Sequence, residues 1–380
     1  MSNTNTKERA TISFSAIEPY IERNIVSARE KNLPGKDFVE WGDNNLYPEY
    51  LLDLYENVAT LKSIIDGCVD YIAGDDITIL PLRPNYAEGV MNAKGDTIVE
   101  QVRDVSLDVE RYGGFALQVI RGKDGKPAEV YYAETRLFRS NKEGDVFYYC
   151  EDWKKKGVKK VIVYPKFMPN LDWAKLSDEE KNRHASSILF VKNVRTKVYP
   201  SPKYAASVKS CEIERCIDDF HLNAINNGFT GSYIINFNNG VPSEEVQMEI
   251  EDNFNEKFAG HQNAGRIGFC WNPNKAAATS IEPVKVEDFG EKYKSLESSA
   301  RQRIFTAFKA NPNLFGIPTE NLGFSSEEYE SAFRLFNRTQ IRPIQKMIAA
   351  AYDKIYGQKG VLTIVPFSMD EDSVTDKIVK

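Results

Sequence analysis

Apolar residues recur at helical spacing in several parts of the chain and at strand spacing between them. In NNLYPEYLLDLYENVATLKSIIDGCVDYIAG, Leu51, Leu54 and Tyr55 fall on one face of a first short helix. Leu61, Ile64, Ile65, Cys68, Val69 and Ile72 fall on one face of a second, which Gly74 stops. A further helix is expected over residues 97–111. The next stretch, GGFALQVIRGKDGKPAEVYYAETRLFRSNKEGDVFYYC, alternates apolar and polar residues between the turns KDGK and KEGD, the pattern of an antiparallel sheet. That sheet is expected to continue through 161–164 and 187–191, broken by a polar insertion at 171–182.

The second half reads differently. After Tyr199-Pro-Ser-Pro202, the residues Tyr204, Val208, Cys211, Ile217, Phe220 and Ala224 predict one helix of about 25 residues, about 37 Å long. A strand over 232–237, a helix that Ser243 caps, and a strand over 266–271 then form a small β-α-β insert. Phe289, Tyr293, Leu296, Ala300, Ile304 and Phe308 mark a second long helix of matching period. The two long helices form an antiparallel hairpin with the insert at its tip. Between Phe308 and Glu330 the pattern breaks at Pro312, Gly316, Pro318 and Gly323, a connection far longer than the roughly 2–8 residues usual between helices. Ser325 and Glu328 make a capping box for a last helix, which Pro343 kinks or restarts, and a strand is expected over 361–367.

Composition changes this picture little. The chain has 380 residues, 42% hydrophobic and 12% aromatic, enough for two or three folded domains. Residues 1–36 are polar, and order is expected from about Phe38 onward. A net charge of −6 opposes tight, non-specific nucleic-acid binding. Cys68, Cys150, Cys211, Cys216 and Cys270 are odd in number and lack metal-ligand spacing, so neither a disulfide framework nor a zinc site is indicated. No apolar run reaches the length of a membrane span.

Catalytic motifs are sparse. Glu214, Asp218 and His221, at i, i+4 and i+7, share a helical face and suggest a metal site, but no second ligand-bearing helix motif accompanies them. His184 and His261 lie alone in polar stretches. Neither GxxxxGK[ST] nor GxGxxG occurs. The run KKKGVKK, 154–160, lies between two expected strands and reads as a solvated hairpin tip. Arg301, Arg303, Lys309, Arg334, Arg338 and Arg342 cluster on either side of the long connection, with Glu297, Glu327, Glu328 and Glu330 near enough to neutralise some of them. No enzyme, cofactor or metal is expected.

The order of these parts resembles the portal proteins of tailed bacteriophages, the head-to-tail connector rings, over about residues 41–357. The Tyr-Pro helices ending in Ile-Ala-Gly, RYGGFALQVIRGKDGKPAEVYY, and YPSPKYAASVKSCEIERCIDDFHLNAINNGFTGSYIINF each resemble a family segment. So do EKFAGHQNAGRIGF, IFTAFKANPNLFGI and AFRLFNRTQIRPIQKMI. The chain departs from the family at Lys309-Ala-Asn-Pro312, where Gly-Val-Pro-Pro is common.

The resemblance implies an α+β portal-like fold with a mixed α/β wing, long antiparallel stem helices, a small β-α-β clip and a kinked tunnel helix. Its parts would be a flexible N-terminal arm (1–37), wing (38–202), stem helix 1 (203–228), clip (229–285) and stem helix 2 (286–309). A tunnel loop (310–324), a kinked tunnel and wing helix (325–357), and a C-terminal strand with an acidic tail (358–380) would follow. It further implies a homo-oligomeric ring, usually of twelve subunits, in the virion at one capsid vertex. The ring contacts the major capsid protein, the large terminase subunit, a head-tail adaptor and double-stranded DNA without sequence preference, and no membrane. Arg301, Lys309, Asn311, Asn313, Asn321, Arg334 and Arg338 are then candidates to face DNA. Ile234, Ile235, Phe237, Ile267 and Phe269 are candidates for the clip interface between subunits. The alternatives are a metal-dependent nuclease or other enzyme using the acidic and His face, and a smaller neck connector ring.

Overall fold

Strand β1, Thr11–Phe14, falls in the stretch expected to be a flexible arm, because its partner lies more than 250 residues away and no local pattern announces it. The computed structural model describes residues 11–14, 25–81, 87–155, 160–226, 233–258, 267–274, 289–317 and 326–368. The chain divides into a smaller unit, 1–24 with 213–298, and a larger unit, 25–212 with 299–380. Order in the larger unit begins before Phe38: the Glu30 carboxylate accepts from the Tyr199 backbone N–H at 2.8 Å.

In the larger unit, α1, Tyr47–Asn57, opens on Pro48, whose fixed φ suits a first helical turn and whose missing N–H costs nothing there. Its apolar stripe buries Leu51, Leu54 and Tyr55. α2, Ala59–Ala73, buries Leu61, Ile64, Ile65, Cys68 and Ile72, as the periodicity predicts. Gly74 ends it at a positive φ of 68°, where a Cβ would stand 2.0 Å from the Val365 carbonyl oxygen. β2, Asp76–Ile79, follows. α3, Ile98–Tyr112, starts from a capping box in which Thr97 accepts from the Glu100 N–H and Glu100 answers to the Thr97 N–H.

The expected single sheet is two. β3, Gly114–Arg121, β4, Pro127–Ala133, β5, Phe138–Ser140, β6, Val146–Tyr149, and β7, Ile162–Pro165, follow in turn. Helix α4, Asp178–His184, occupies the polar insertion from a Ser177–Glu180 capping box, and leads to β8, Ser186–Lys192. The sheets run β4-β3-β8 and β5-β6-β7, antiparallel throughout. The aromatic ends of these segments close a core: Trp41 stacks on Tyr199 at 4.4 Å, and the Tyr199 hydroxyl donates to the Val39 carbonyl and accepts from the Ser140 N–H.

Helix α5, Val208–Asn226, is shorter than expected, because Lys203–Ser207 form a 3-10 turn. Tyr204 points its hydroxyl to the Arg111 carbonyl at 3.0 Å, and Ser207 donates to the Arg303 carbonyl, so this turn is set by tertiary contacts. The smaller unit holds β9, Tyr233–Phe237, α6, Glu244–Phe258, and β10, Ile267–Trp271. β9 and β10 pair in parallel, as a β-α-β unit requires, and β1 adds antiparallel to the far side of β10. The insert is therefore a three-stranded sheet within one chain.

α7, Phe289–Phe308, runs antiparallel to α5. Phe220 stacks on Tyr293 at 4.7 Å in the smaller unit, and Tyr204 on Phe308 at 5.6 Å in the larger. α8, Ser326–Phe336, and α9, Arg342–Tyr356, are joined by a π-helical turn, Asn337–Ile341. Pro343, at the second position of α9, has no N–H to close an α-helical bond to Thr339, and the chain meets that loss with the wider turn. α9 docks on α2 and α3: Gln345 donates to the Ile72 carbonyl and Tyr352 to the Gln101 side chain, both at 3.0 Å. β11, Leu362–Val365, pairs antiparallel with β2. Mixed helix and sheet, a long helix pair, the β-α-β insert and an irregular α8–α9 together make the expected α+β fold class.

Candidate functional site

The long connection after α7 begins as an anchored turn. Ile304, Phe305 and Phe308 bury the end of the helix, and Lys309 takes a left-handed φ of 52° that turns the chain out of it. Asn311 then caps the 3-10 turn Pro312–Phe315, its side-chain oxygen accepting from the Asn313 N–H at 3.1 Å. Leu314 is buried, and its carbonyl accepts from the Tyr71 hydroxyl at 2.7 Å. Phe315 lies edge-on to Tyr71 and Phe336 and rests against Gly67, where a Cβ would stand 2.7 Å from its ring.

Tyr71 also meets Phe333 and Phe367 at 5.6 and 5.4 Å, so an aromatic cluster from four parts of the chain holds the turn. Burial, with Tyr329 beside it, pushes the Tyr71 phenol above its ordinary range. Residues 310–317 therefore do not belong to a loop leaving the scaffold. Leu314 and Phe315 carry too much apolar surface to stand free, and the rest of the expected tunnel loop, 318–324, lies outside the described residues. Asn321 and the Ser325 cap lie outside the described residues.

The other DNA-facing candidates separate. Arg301 is partly buried and engaged, and Asn311 and Asn313 are partly buried in the anchored turn. Lys309 is exposed. Arg334 and Arg338 are exposed on α8 and the π-turn, Arg334 reaching Glu330 at 3.0 Å. Arg301, Asn311 and Asn313 thus sit in packed surroundings, while Lys309, Arg334 and Arg338 are exposed. Sequence reasoning missed Gly67, Tyr71 and Phe367, although a glycine inside an apolar helical pattern is itself a sign of close packing.

Among the clip residues, Ile235 stands opposite Phe269, Ile234 opposite Gly268 and Ile267 opposite Tyr233, all in one chain. Phe237 stacks on Trp271 at 4.3 Å, and the Asn272 N–H donates to the Phe237 carbonyl at 2.8 Å, fixing the end of the sheet. Strands expected to find partners across a ring pair first with each other. Among the described residues, the outer edge of β9 is unpaired.

The face read as a possible metal site is not assembled as one. Glu214 is buried while Asp218 and His221 are exposed, and the His221 ring lies edge-on to Tyr293 at 5.9 Å. Among the described residues, no group of three His, Cys, Asp or Glu side chains is placed to hold a metal. The five cysteines are unpaired thiols. No helix among the described residues is long and apolar enough to cross a membrane.

No family model and no curated protein matches the sequence. Solved structures do. A chain from the neck of an empty GTA particle, computed with C6 symmetry, superposes with a TM-score of 0.53 at 15% identity, over 92% of this chain and 89% of that one. A chain from the virion of a native gene transfer agent (GTA) particle gives 0.49 at 15% identity, over 93% and 89%. An HK97-family phage portal protein from Corynebacterium diphtheriae gives 0.45 at 10% identity, over 87% and 98%. The first of these covers nearly the whole of both chains and carries the conclusion on its own: this chain has the fold of a particle-neck protein, and the connector resemblance read from its sequence is borne out at the level of fold.

Proposed function

We propose that this chain is the portal subunit of a tailed, virus-like particle. It assembles into a ring of twelve copies at one capsid vertex, and double-stranded DNA is packaged and ejected through the channel. The observation that carries the reading is the whole-chain fold match to a protein of a particle neck determined with six-fold symmetry. Several features support it. The larger unit, with its deep apolar core, acts as the wing; α5 and α7 act as the stem; the sheet β1-β10-β9 with α6 acts as the clip.

An acidic chain suits a channel that must release what it holds, because each lysine or arginine on a phosphate adds to salt-dependent affinity. The wing contacts the major capsid protein, and the clip docks the large terminase subunit and later the head-tail adaptor. The protein is a structural component with no catalytic step of its own.

The test is mass and shape. Purified protein is weighed intact and imaged as single particles, and a closed ring of about a dozen chains is expected. A stable monomer or dimer, with or without bound metal, overturns the proposal.

A further inference from the structure

From Ser331 onward the exposed surface of α8 and α9 is cationic, whereas Glu327, Glu328 and Glu330 are exposed in the first turns of α8. Between Ser331 and Lys354 the charged exposed side chains are Arg334, Arg338, Arg342, Lys346 and Lys354. The acid in that span, Asp353, is half-buried and spends an oxygen on the Val361 N–H at 2.9 Å. Glu330, one turn before, pairs with Arg334, while Arg338, Arg342 and Lys346 meet no carboxylate among the described residues. This concentration stands on a chain whose net charge is −6.

The first four cations are spaced by four residues, and on a regular α-helix that repeat drifts by about 40° per step. Three steps would carry Lys346 about 120° away from Arg334. The π-turn Asn337–Ile341 takes roughly one more residue per turn, so the step from Arg338 to Arg342 rotates backward and cancels much of the drift. The same correction keeps Phe333, Phe336, Ile341, Ile344 and Ile348 on the buried side. One irregular turn therefore sets both faces, and the cations keep to one side of the helix over about 18 Å.

We propose that Arg334, Arg338, Arg342 and Lys346 form a rail for the phosphate backbone of double-stranded DNA, phased by the π-turn. The inference rests on the portal reading and sharpens it, moving the DNA-facing surface from the anchored turn to this helix face. A helix face built to pair with another protein helix alternates sign, whereas this one is of one sign for three steps. Over 18 Å a duplex presents roughly ten phosphates, enough for all four side chains without any reading of bases. Four contacts per chain hold weakly at physiological salt.

The test compares R334Q/R338Q/R342Q/K346Q with a control of equal charge change at exposed lysines elsewhere, K123Q/K155Q/K175Q/K359Q. Binding of two unrelated fluorescent duplexes is titrated over a salt series, with assembly state and thermal melting recorded for each protein. The expected result is a salt-dependence slope lower by about 3–4 in the rail variant, for both duplexes, with the control close to the parent. Equal slopes in rail variant and control overturn the proposal, and so does a parent protein that binds neither duplex. A folded rail variant that fails to assemble while the control assembles also overturns it, since the face then joins copies of the chain. If the parent binds through the rail yet never forms a ring, the rail stands and the portal reading falls.

Discussion

The two units solve the burial problem in opposite ways. The larger closes its core on itself: Leu51, Leu54, Leu61, Ile64, Ile65, Val102, Val105, Phe115, Ile304, Ile348 and Tyr352 are all fully buried and belong to one contiguous cluster. The smaller leaves Phe220 46%, Leu222 58%, Met248 65% and Leu296 44% exposed, and its sheet needs β1 from the start of the chain to reach three strands. A sheet of so few strands with so much apolar surface outside it gains most from neighbours. On the portal reading those neighbours are copies of the same chain, and stability is divided accordingly: the larger unit folds the subunit and the smaller one assembles it.

The strongest way to break that division is to remove a core side chain. Phe308→Ala takes away a ring that is 1% exposed and stacked on Tyr204, and should cost the isolated subunit about 3–5 kcal/mol in denaturant unfolding. Met248→Ala, at 65% exposure, should stay within about 0.5 kcal/mol in the same measurement while lowering the fraction of protein assembled. A core cost as small as the surface one would mean that the larger unit does not fold independently of assembly.

Next in size is a strand break in the smaller unit. Ile235→Pro removes a backbone donor in β9 and stiffens a residue paired opposite Phe269. Ring formation should fall severalfold by particle counting, with the main melting transition within a few degrees of the parent. Intact rings from this variant would remove the clip from the assembly interface.

Alkali provides a milder contrast. Burial pushes Tyr47 up to about 12, and it raises Tyr50, Tyr112, Tyr132, Tyr199 and Tyr352 as well, all in the larger unit. A phenol whose folded value lies above its ordinary 10.0 contributes stability that is full below pH 10 and is lost as pH rises through the folded value. Arg139, which burial holds down to about 10, works the other way, as do Arg121 and Lys192, also lowered by burial, because losing the charge relieves that burial; these three are outnumbered. Unfolding should therefore set in between about pH 10 and 12, with tyrosinate absorbance rising together with the loss of larger-unit structure. Ionisation at pH 10, ahead of unfolding, of more tyrosines than the thirteen others in the chain would show these phenols to be exposed.

How much of this was legible in sequence depends on whether the deciding contact is local. The stripes of α1 and α2, the turns of the antiparallel strands and the β-α-β order are written in neighbouring residues. β1 is four residues whose partner lies more than 250 residues away, and the 3-10 start before α5 is set by Arg111 and Arg303. A disturbance near Pro343 was readable from the missing N–H, but its form, a π-turn, depends on keeping Ile341 and Ile344 in the core. At the candidate site, the Pro and Gly residues announced a break in the helix. They could not announce that Leu314 and Phe315 find a seat beside Gly67 and Tyr71, and the cation repeat was visible without its exposure.

The smallest expected effect tests that seat. Tyr71→Phe keeps the ring, and with it the contacts to Phe315, Phe333, Phe336 and Phe367, but removes the 2.7 Å hydrogen bond to the Leu314 carbonyl. The loss should be about 0.5–1.5 kcal/mol and local, because the carbonyl it frees lies at the edge of the core where water can replace the donor. Amide exchange in residues 313–317 should accelerate by up to about tenfold, while amides in α2 and α9 keep their parent rates. Unchanged exchange in the turn would mean that the aromatic packing alone holds it. Faster exchange throughout α2 would mean that the turn is part of the core and that the larger unit has no separable loop before Pro318.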